Sequence, residues 1–187
     1  MNIKEIISLV DETIFNFISF FDFSKVYFLS FLSYYFFYLI FLIFAIYIYF
    51  FERKTKILNL LILLSIFGFL IIYLIKYAVK RERPYGIIEK IDYSFPSSHS
   101  YFAILIILFS YFYLRNYIFK SLFILFGLFS IFSIIILKIH FFSDVIFSIF
   151  LSLFLFYFFN NKDFLIKYIE KLQEVKKKIL NYLKRTK

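Results

Sequence analysis

Cysteine is absent from the chain, which excludes a disulfide, a thiolate nucleophile and any cysteine-ligated metal site. Histidine is nearly as scarce: only His99 and His140 occur, far apart and with few acids nearby, so neither a transition-metal cage nor another cofactor is expected. Three glycines and two prolines punctuate 187 residues, and the short alternating segments of a membrane barrel are missing, so the long runs should be helices. The first residues lack a short apolar core followed by an A-x-A-like site, and no removable leader is expected.

What the chain has instead is apolar surface. Hydrophobic residues make up 63% of it, and Phe alone occurs 33 times, against roughly 45–50% apolar in soluble domains. One domain's worth of chain cannot hide that much in a single core, so the bilayer is the expected solvent. Five runs approach the length of about 20 residues that a span needs: 26–51, 57–76, 99–114, 117–137 and 141–159. The third is short. It can serve only if the mouth beside it is recessed or the bilayer thins locally. The expected fold is an all-α integral membrane helix bundle. Five to six helices lie in the bilayer, with amphipathic helices at both ends. Residues 1–187 form one domain with its transmembrane core at 26–159.

The ends carry opposite charge. Residues 1–22 place Ile3, Ile6, Ile7, Val10, Ile14, Phe17 and Ile18 at helical spacing among Lys4, Glu5, Asp11 and Glu12. Two placements are open: a helix lying in the interface or a sixth span. Residues 162–187 hold nine Lys and Arg against three acids. Attached directly to a span, this tail reads as a basic cytoplasmic surface helix for anionic headgroups, and no nucleic-acid partner is expected. The loops Glu52–Lys56 and Arg115–Lys120 are also basic, and alternating spans put them on the tail's side. By the positive-inside rule that side is the cytoplasm. Lys76, His99 and His140 then share the extracytoplasmic face.

Three polar clusters sit at those outer ends. Lys76 and Arg83 lie seven residues apart, close to two helical turns, and Pro84 turns the chain at Arg83. Each could be a snorkelling anchor. As a pair, the guanidinium fork and the ammonium suit a dianionic headgroup. Pro96-Ser97-Ser98-His99 opens the third run with Ser97 at the N-cap, leaving backbone N–H groups for a phosphate or simply a capped helix start. His140 and Asp144 are one turn apart, so the carboxylate can accept from Nδ1–H and leave Nε2 as an attacking nitrogen. Ionisable groups at a membrane edge are costly and more often functional.

Together these residues resemble the type 2 phosphatidic acid phosphatase superfamily. Its signature is Lys-x6-Arg-Pro, Pro-Ser-x-His and Ser-Arg-x5-His-x3-Asp, in that order. Lys76 and Arg83-Pro84, then Pro96, Ser97 and His99, then Ser133, His140 and Asp144 match it, with Ser98 where Gly is commonest. The resemblance implies catalysis by His140 as nucleophile, Asp144 as its orienter and His99 as general acid. Lys76, Arg83, Ser97 and Ser98 would bind phosphate, without metal. It also implies a lipid phosphate or diphosphate substrate (undecaprenyl diphosphate, phosphatidylglycerophosphate, phosphatidate or lipid A type) and residence in a bacterial inner membrane. One position departs: Ile134 stands where the family has Arg, and a charge-stabilising group of that kind is worth several kcal/mol. On a continuing helix Lys138 lies one turn beyond Ile134. Lys138 then either supplies a phosphate-binding ammonium or merely ends the fourth run. A weakened relative that binds lipid phosphate is the alternative function. A small transporter would need polar residues in mid-span, and the charges cluster at edges instead.

Overall fold

The computed structural model describes residues 2–20, 24–84 and 92–160, and every described regular element is helical. The elements are α1 (Ile3–Phe20), α2 (Ser24–Tyr47) with a π-helical turn at Ile48–Glu52, α3 (Thr55–Val79), α4 (Ser98–Tyr113), α5 (Tyr117–Ile136) and α6 (Phe142–Asn160). Four stretches are long and apolar enough to cross a membrane: Ser30–Glu52, Thr55–Val79, Tyr117–Ile136 and Phe142–Asn160. Helices α2 to α6 have no polar face, as expected of helices whose outer surface meets lipid. Leu74, Phe50, Leu125 and Phe150 all point outward.

α4 is the exception that organises the bundle. Its 16 residues rise about 24 Å, short of the roughly 30 Å hydrocarbon core. It needs no greater length, because α2, α3, α5 and α6 pack around it. Tyr101, Ala103, Leu105, Ile106 and Phe109 are fully buried. Close approach depends on the two described glycines. A Cβ at Gly68 would fall 2.1 Å from the Tyr101 ring, and one at Gly127 would fall 3.0 Å from the Ala103 carbonyl. Polar tacks tie the helices together. The Tyr101 hydroxyl donates to Leu64 O of α3 at 2.8 Å, and the Ser152 hydroxyl of α6 donates to Tyr101 O at 3.0 Å. Ser33 and Ser130 join α2 to α5 at 3.1 Å.

The two ends of the bundle differ in charge. At one end Arg115 N donates to Glu52 Oε1 at 2.9 Å and Lys54 Nζ to Tyr113 O at 3.3 Å, so the α2–α3 and α4–α5 loops meet there, as alternating spans require. α6 ends at the same side, where the Tyr113 hydroxyl meets Asn160. The basic tail helix expected at 162–187 lies outside the described residues.

α1 packs on α6 at the opposite end. It carries four charged residues and is not among the helices apolar enough to span. Its apolar Ile6, Ile7, Val10 and Phe17 are exposed, whereas Asp11 is buried and Ile14 and Ile18 pack against the bundle.

Candidate active site

The end opposite the basic loops gathers the polar side chains. α3 stops at Val79, and Lys80, in the left-handed region at φ 52°, closes it by donating its N–H to Lys76 O. Lys76 is thus left on the last turn, buried, with its ammonium donating to Asp92 Oδ2 at 3.1 Å and to the Tyr93 carbonyl. The chain beyond α3 runs beside residues 92–94: Ser94 N bonds Arg81 O and the Ser94 hydroxyl bonds Glu82 O. This pairing aims Arg83 inward. Its Nη2 donates to Asp92 Oδ1 at 2.7 Å, and its Nη1 donates to Ile139 O at 2.9 Å and reaches His140 Nε2 at 3.1 Å.

Arginine has no acceptor, so the last contact determines the tautomer. Nε2 must carry the lone pair, and the proton sits on Nδ1, which faces Asp144 Oδ2 at 3.6 Å. That distance is just beyond a hydrogen bond, so Asp144 acts on the ring by its charge rather than through the direct bond expected from the spacing. The same oxygen accepts Phe141 N at 3.0 Å. Burial pulls the His140 pKa down to about 4, with Arg83 and Lys76 acting in the same sense and Asp144 opposing them. The imidazole is neutral at ordinary pH. For Asp92, burial acts to raise the pKa, but Arg83 and Lys76 outweigh it and hold the carboxyl below its usual value.

Ser97 caps α4, its hydroxyl oxygen accepting Ser100 N at 3.3 Å, so the capping role read from Pro96-Ser97 is present. The start of α4 meets the start of α6 where Ser97 N approaches Asp144 O at 3.5 Å. His99, on the first turn, is buried and stacks on Tyr34 with ring centroids 4.6 Å apart, with Phe37 and Tyr38 also against it. Tyr34 in turn lies within electrostatic range of Arg83 and Asp92. α2 therefore presses His99 toward the end of the bundle that holds His140. Lys76, Arg83, Ser97, His99, His140 and Asp144 are all brought to this end.

Lys138 behaves differently. α5 ends at Ile136, and Lys138 takes a left-handed φ of 51°, so the helical phase that would carry it back over Ile134 is broken. Its ammonium donates to Ser19 Oγ of α1 at 2.8 Å and lies 5.8 Å from the Phe15 ring. These contacts tether α1 and do not join the Lys76–Arg83–His140 cluster. Ile134, at the position of the missing arginine, is buried in an apolar cluster with Tyr34, Leu137, Ile139 and Val145.

Three participants were not singled out by sequence reasoning. Asp92 occupies the seat between Lys76 and Arg83, in a segment with no periodic pattern to mark it. Arg81 is one of four cations within residues 76–83, and spacing gave no reason to prefer it. Asp11 did leave a signal: a carboxylate in a stripe otherwise made by Ile7, Ile14 and Ile18.

Comparison with known proteins completes the description. Residues 56–165 match the family model of the PAP2 superfamily. No curated protein matches the chain. Among solved structures it is similar to one described as the first transmembrane PAP2 type phosphatidylglycerolphosphate phosphatase, from Bacillus subtilis. The TM-score is 0.68 at 20% identity, over 83% of this chain and 85% of that one.

Proposed function

The chain belongs to the PAP2 superfamily, a family of phosphatases, and we propose that it cleaves a lipid phosphate or diphosphate through a covalent phosphohistidine on His140. One observation carries the reading. A single guanidinium, Arg83, donates to the bare Nε2 of His140 and, with Lys76, holds a carboxylate beside it. An anion seated there is held by the same guanidinium that donates to Nε2, so the neutral nitrogen lies beside it and is freed to attack once Arg83 turns its N–H to the phosphate. That is the arrangement a nucleophile and its substrate require.

The headgroup phosphate displaces Asp92 from Lys76 and Arg83. Its oxygens also meet the N-terminal end of α4 at Ser97 and Ser98, where helix N–H groups favour anions. Nε2 attacks phosphorus in line. The bond from phosphorus to the lipid oxygen breaks, and that oxygen takes a proton from His99. The ring of His140 is now cationic through Nδ1–H, and Asp144 stabilises it. In the second step water attacks the phosphoryl group, its proton returns to His99, and the P–N bond breaks to release phosphate. The apolar outer surface of the bundle keeps the lipid chains in the bilayer. The basic loops at the far end support an extracytoplasmic site, by the positive-inside rule.

Among lipid headgroups, phosphatidylglycerophosphate is the first to assay, because the similar structure is described as a phosphatase for it. Undecaprenyl diphosphate, phosphatidate and lipid A type phosphates complete the panel. The purified protein should release inorganic phosphate from at least one of them, with the activity lost in His140→Ala. It should also form an acid-labile labelled intermediate. Wild-type turnover in His140→Ala refutes the mechanism. Binding of the same lipids without release would favour a weakened relative, a reading supported by the apolar surroundings of Ile134.

A further inference from the structure

We propose that Asp11 is a positioning residue of this reaction. Acting through Arg81 and Ser143, it holds the Asp144 carboxylate against His140, so that α1 forms part of the active site. The inference rests on the phosphatase reading above and adds residues outside it: Asp11 precedes the 56–165 segment that the family model matches.

Asp11 is buried on a helix that leaves Ile6, Ile7, Val10 and Phe17 exposed, and each of its carboxylate oxygens has a partner. Oδ1 accepts Ser143 N at 2.9 Å. Oδ2 accepts the Ser143 hydroxyl at 2.7 Å and Arg81 Nη2 at 2.6 Å. The other nitrogen of the fork, Arg81 Nη1, donates to Asp144 Oδ1 at 2.7 Å and to Ser143 Oγ at 2.6 Å. The guanidinium lies 4.0 Å over the Phe141 ring, next to His140 in sequence. Asp144 is therefore clamped by one oxygen and presents the other to Nδ1. A carboxylate held on one side cannot rotate away from the imidazole, and small losses of alignment at reacting groups are costly.

Charge makes the second argument. Arg81 alone would cancel the negative charge of Asp144 just where an imidazolium must form. Asp11 supplies a second carboxylate, so the trio keeps one net negative charge toward His140. Lys76 and Arg83, both paired with Asp92, also face His140 and are unchanged by altering the trio.

The test uses full-length protein in detergent with phosphatidylglycerophosphate micelles as the probe. In Asp11→Asn and Arg81→Gln, kcat should fall about tenfold or more with KM within about twofold, because the phosphate-binding cations are untouched. Glu12→Gln, on the neighbouring exposed position, should match wild type. A purely structural tether would lower the unfolding temperature and leave kcat of the folded protein intact. With two histidines in the chain, labelled-histidine NMR follows His140 directly, whether or not this lipid is turned over. Arg81→Gln should raise the pH at which His140 titrates, and Asp11→Asn should lower it. Should a single variant not fold, Asp11→Asn/Arg81→Gln removes both members of the Asp11–Arg81 pair, keeps the net charge of the trio, and leaves Asp144 with its bond from Phe141 N. It should fold, with low kcat. Wild-type kcat in the folded variants, or a His140 titration that no change moves, overturns the inference. Phosphate release surviving in His140→Ala instead overturns the phosphatase mechanism.

Discussion

Asp92 fills the seat between Lys76 and Arg83, and Asp92→Asn should free it. Its carboxylate lies 3.1 Å from the Lys76 ammonium and 2.7 Å from the Arg83 guanidinium, while its side chain is 49% exposed against 9% and 8% for its partners. Charged hydrogen bonds contribute about 1.5–3 kcal/mol, and well-exposed ion pairs about 0.2–1 kcal/mol. A half-exposed anion shared by two buried cations falls between, at about 1–2 kcal/mol. An incoming phosphate must overcome that amount. Asparagine keeps the shape and loses the charge, so KM for the lipid phosphate should fall about 5- to 30-fold. Asp92 is displaced in both the bound ground state and the transition state, so kcat should hold. The lowered pKa of Asp92 keeps it charged at neutral pH and down past the usual carboxylate range, so the difference between variant and wild type should persist across that span. Phosphate release measured against lipid mole fraction in micelles gives both constants. A rise in KM, or a collapse of kcat, would show that Asp92 helps to build the anion seat and refute the competition.

Three other outcomes follow from the same geometry. His140 titrates near 4 rather than near the ordinary imidazole value of about 6.5, so its neutral, attacking form persists as the pH falls and is lost only near 4; an acid limb of kcat/KM assigned to His140 at pH 6–7 would contradict this. Lys138→Met removes a tether to Ser19 and no phosphate contact, so turnover should stay within about twofold of wild type by the usual size of surface changes; a tenfold loss would return Lys138 to the anion site. Gly68→Ala drives a Cβ to 2.1 Å from the Tyr101 ring, whose hydroxyl is fixed on Leu64 O. Overpacking of this kind costs about 1–3 kcal/mol, and an unfolding temperature equal to wild type in detergent would refute it.

Much of the architecture was legible from the chain. The five apolar runs correspond to α2 through α6 within a few residues, because a helix in lipid must satisfy its backbone internally and can expose only apolar side chains. The parity of the loops was equally plain, and the contacts of Glu52 with Arg115 and of Lys54 with Tyr113 join the expected pair. The shortness of the third run also had a readable meaning. α4 can be short because protein, rather than lipid, surrounds it. Of the two readings open for Lys138, phosphate binding assumed that α5 continued. One left-handed residue after Ile136 sends the side chain to α1.

The site divides along the same line. Sequence by itself determined which groups lie at one end of the bundle: Lys76, Arg83, Ser97, His99, His140 and Asp144 sit at span ends, and span length with alternation assigns them a common face. Tertiary structure alone decided how they are wired. That Arg83 faces Nε2, that Asp92 fills the anion seat, and that Asp11 reaches Asp144 through Arg81 depend on side chains far apart in the chain. Apolar periodicity is a property of one helix and its solvent, so it is written locally. A hydrogen-bond network across α1, the end of α3 and α6 comes into being only when packing brings those ends together.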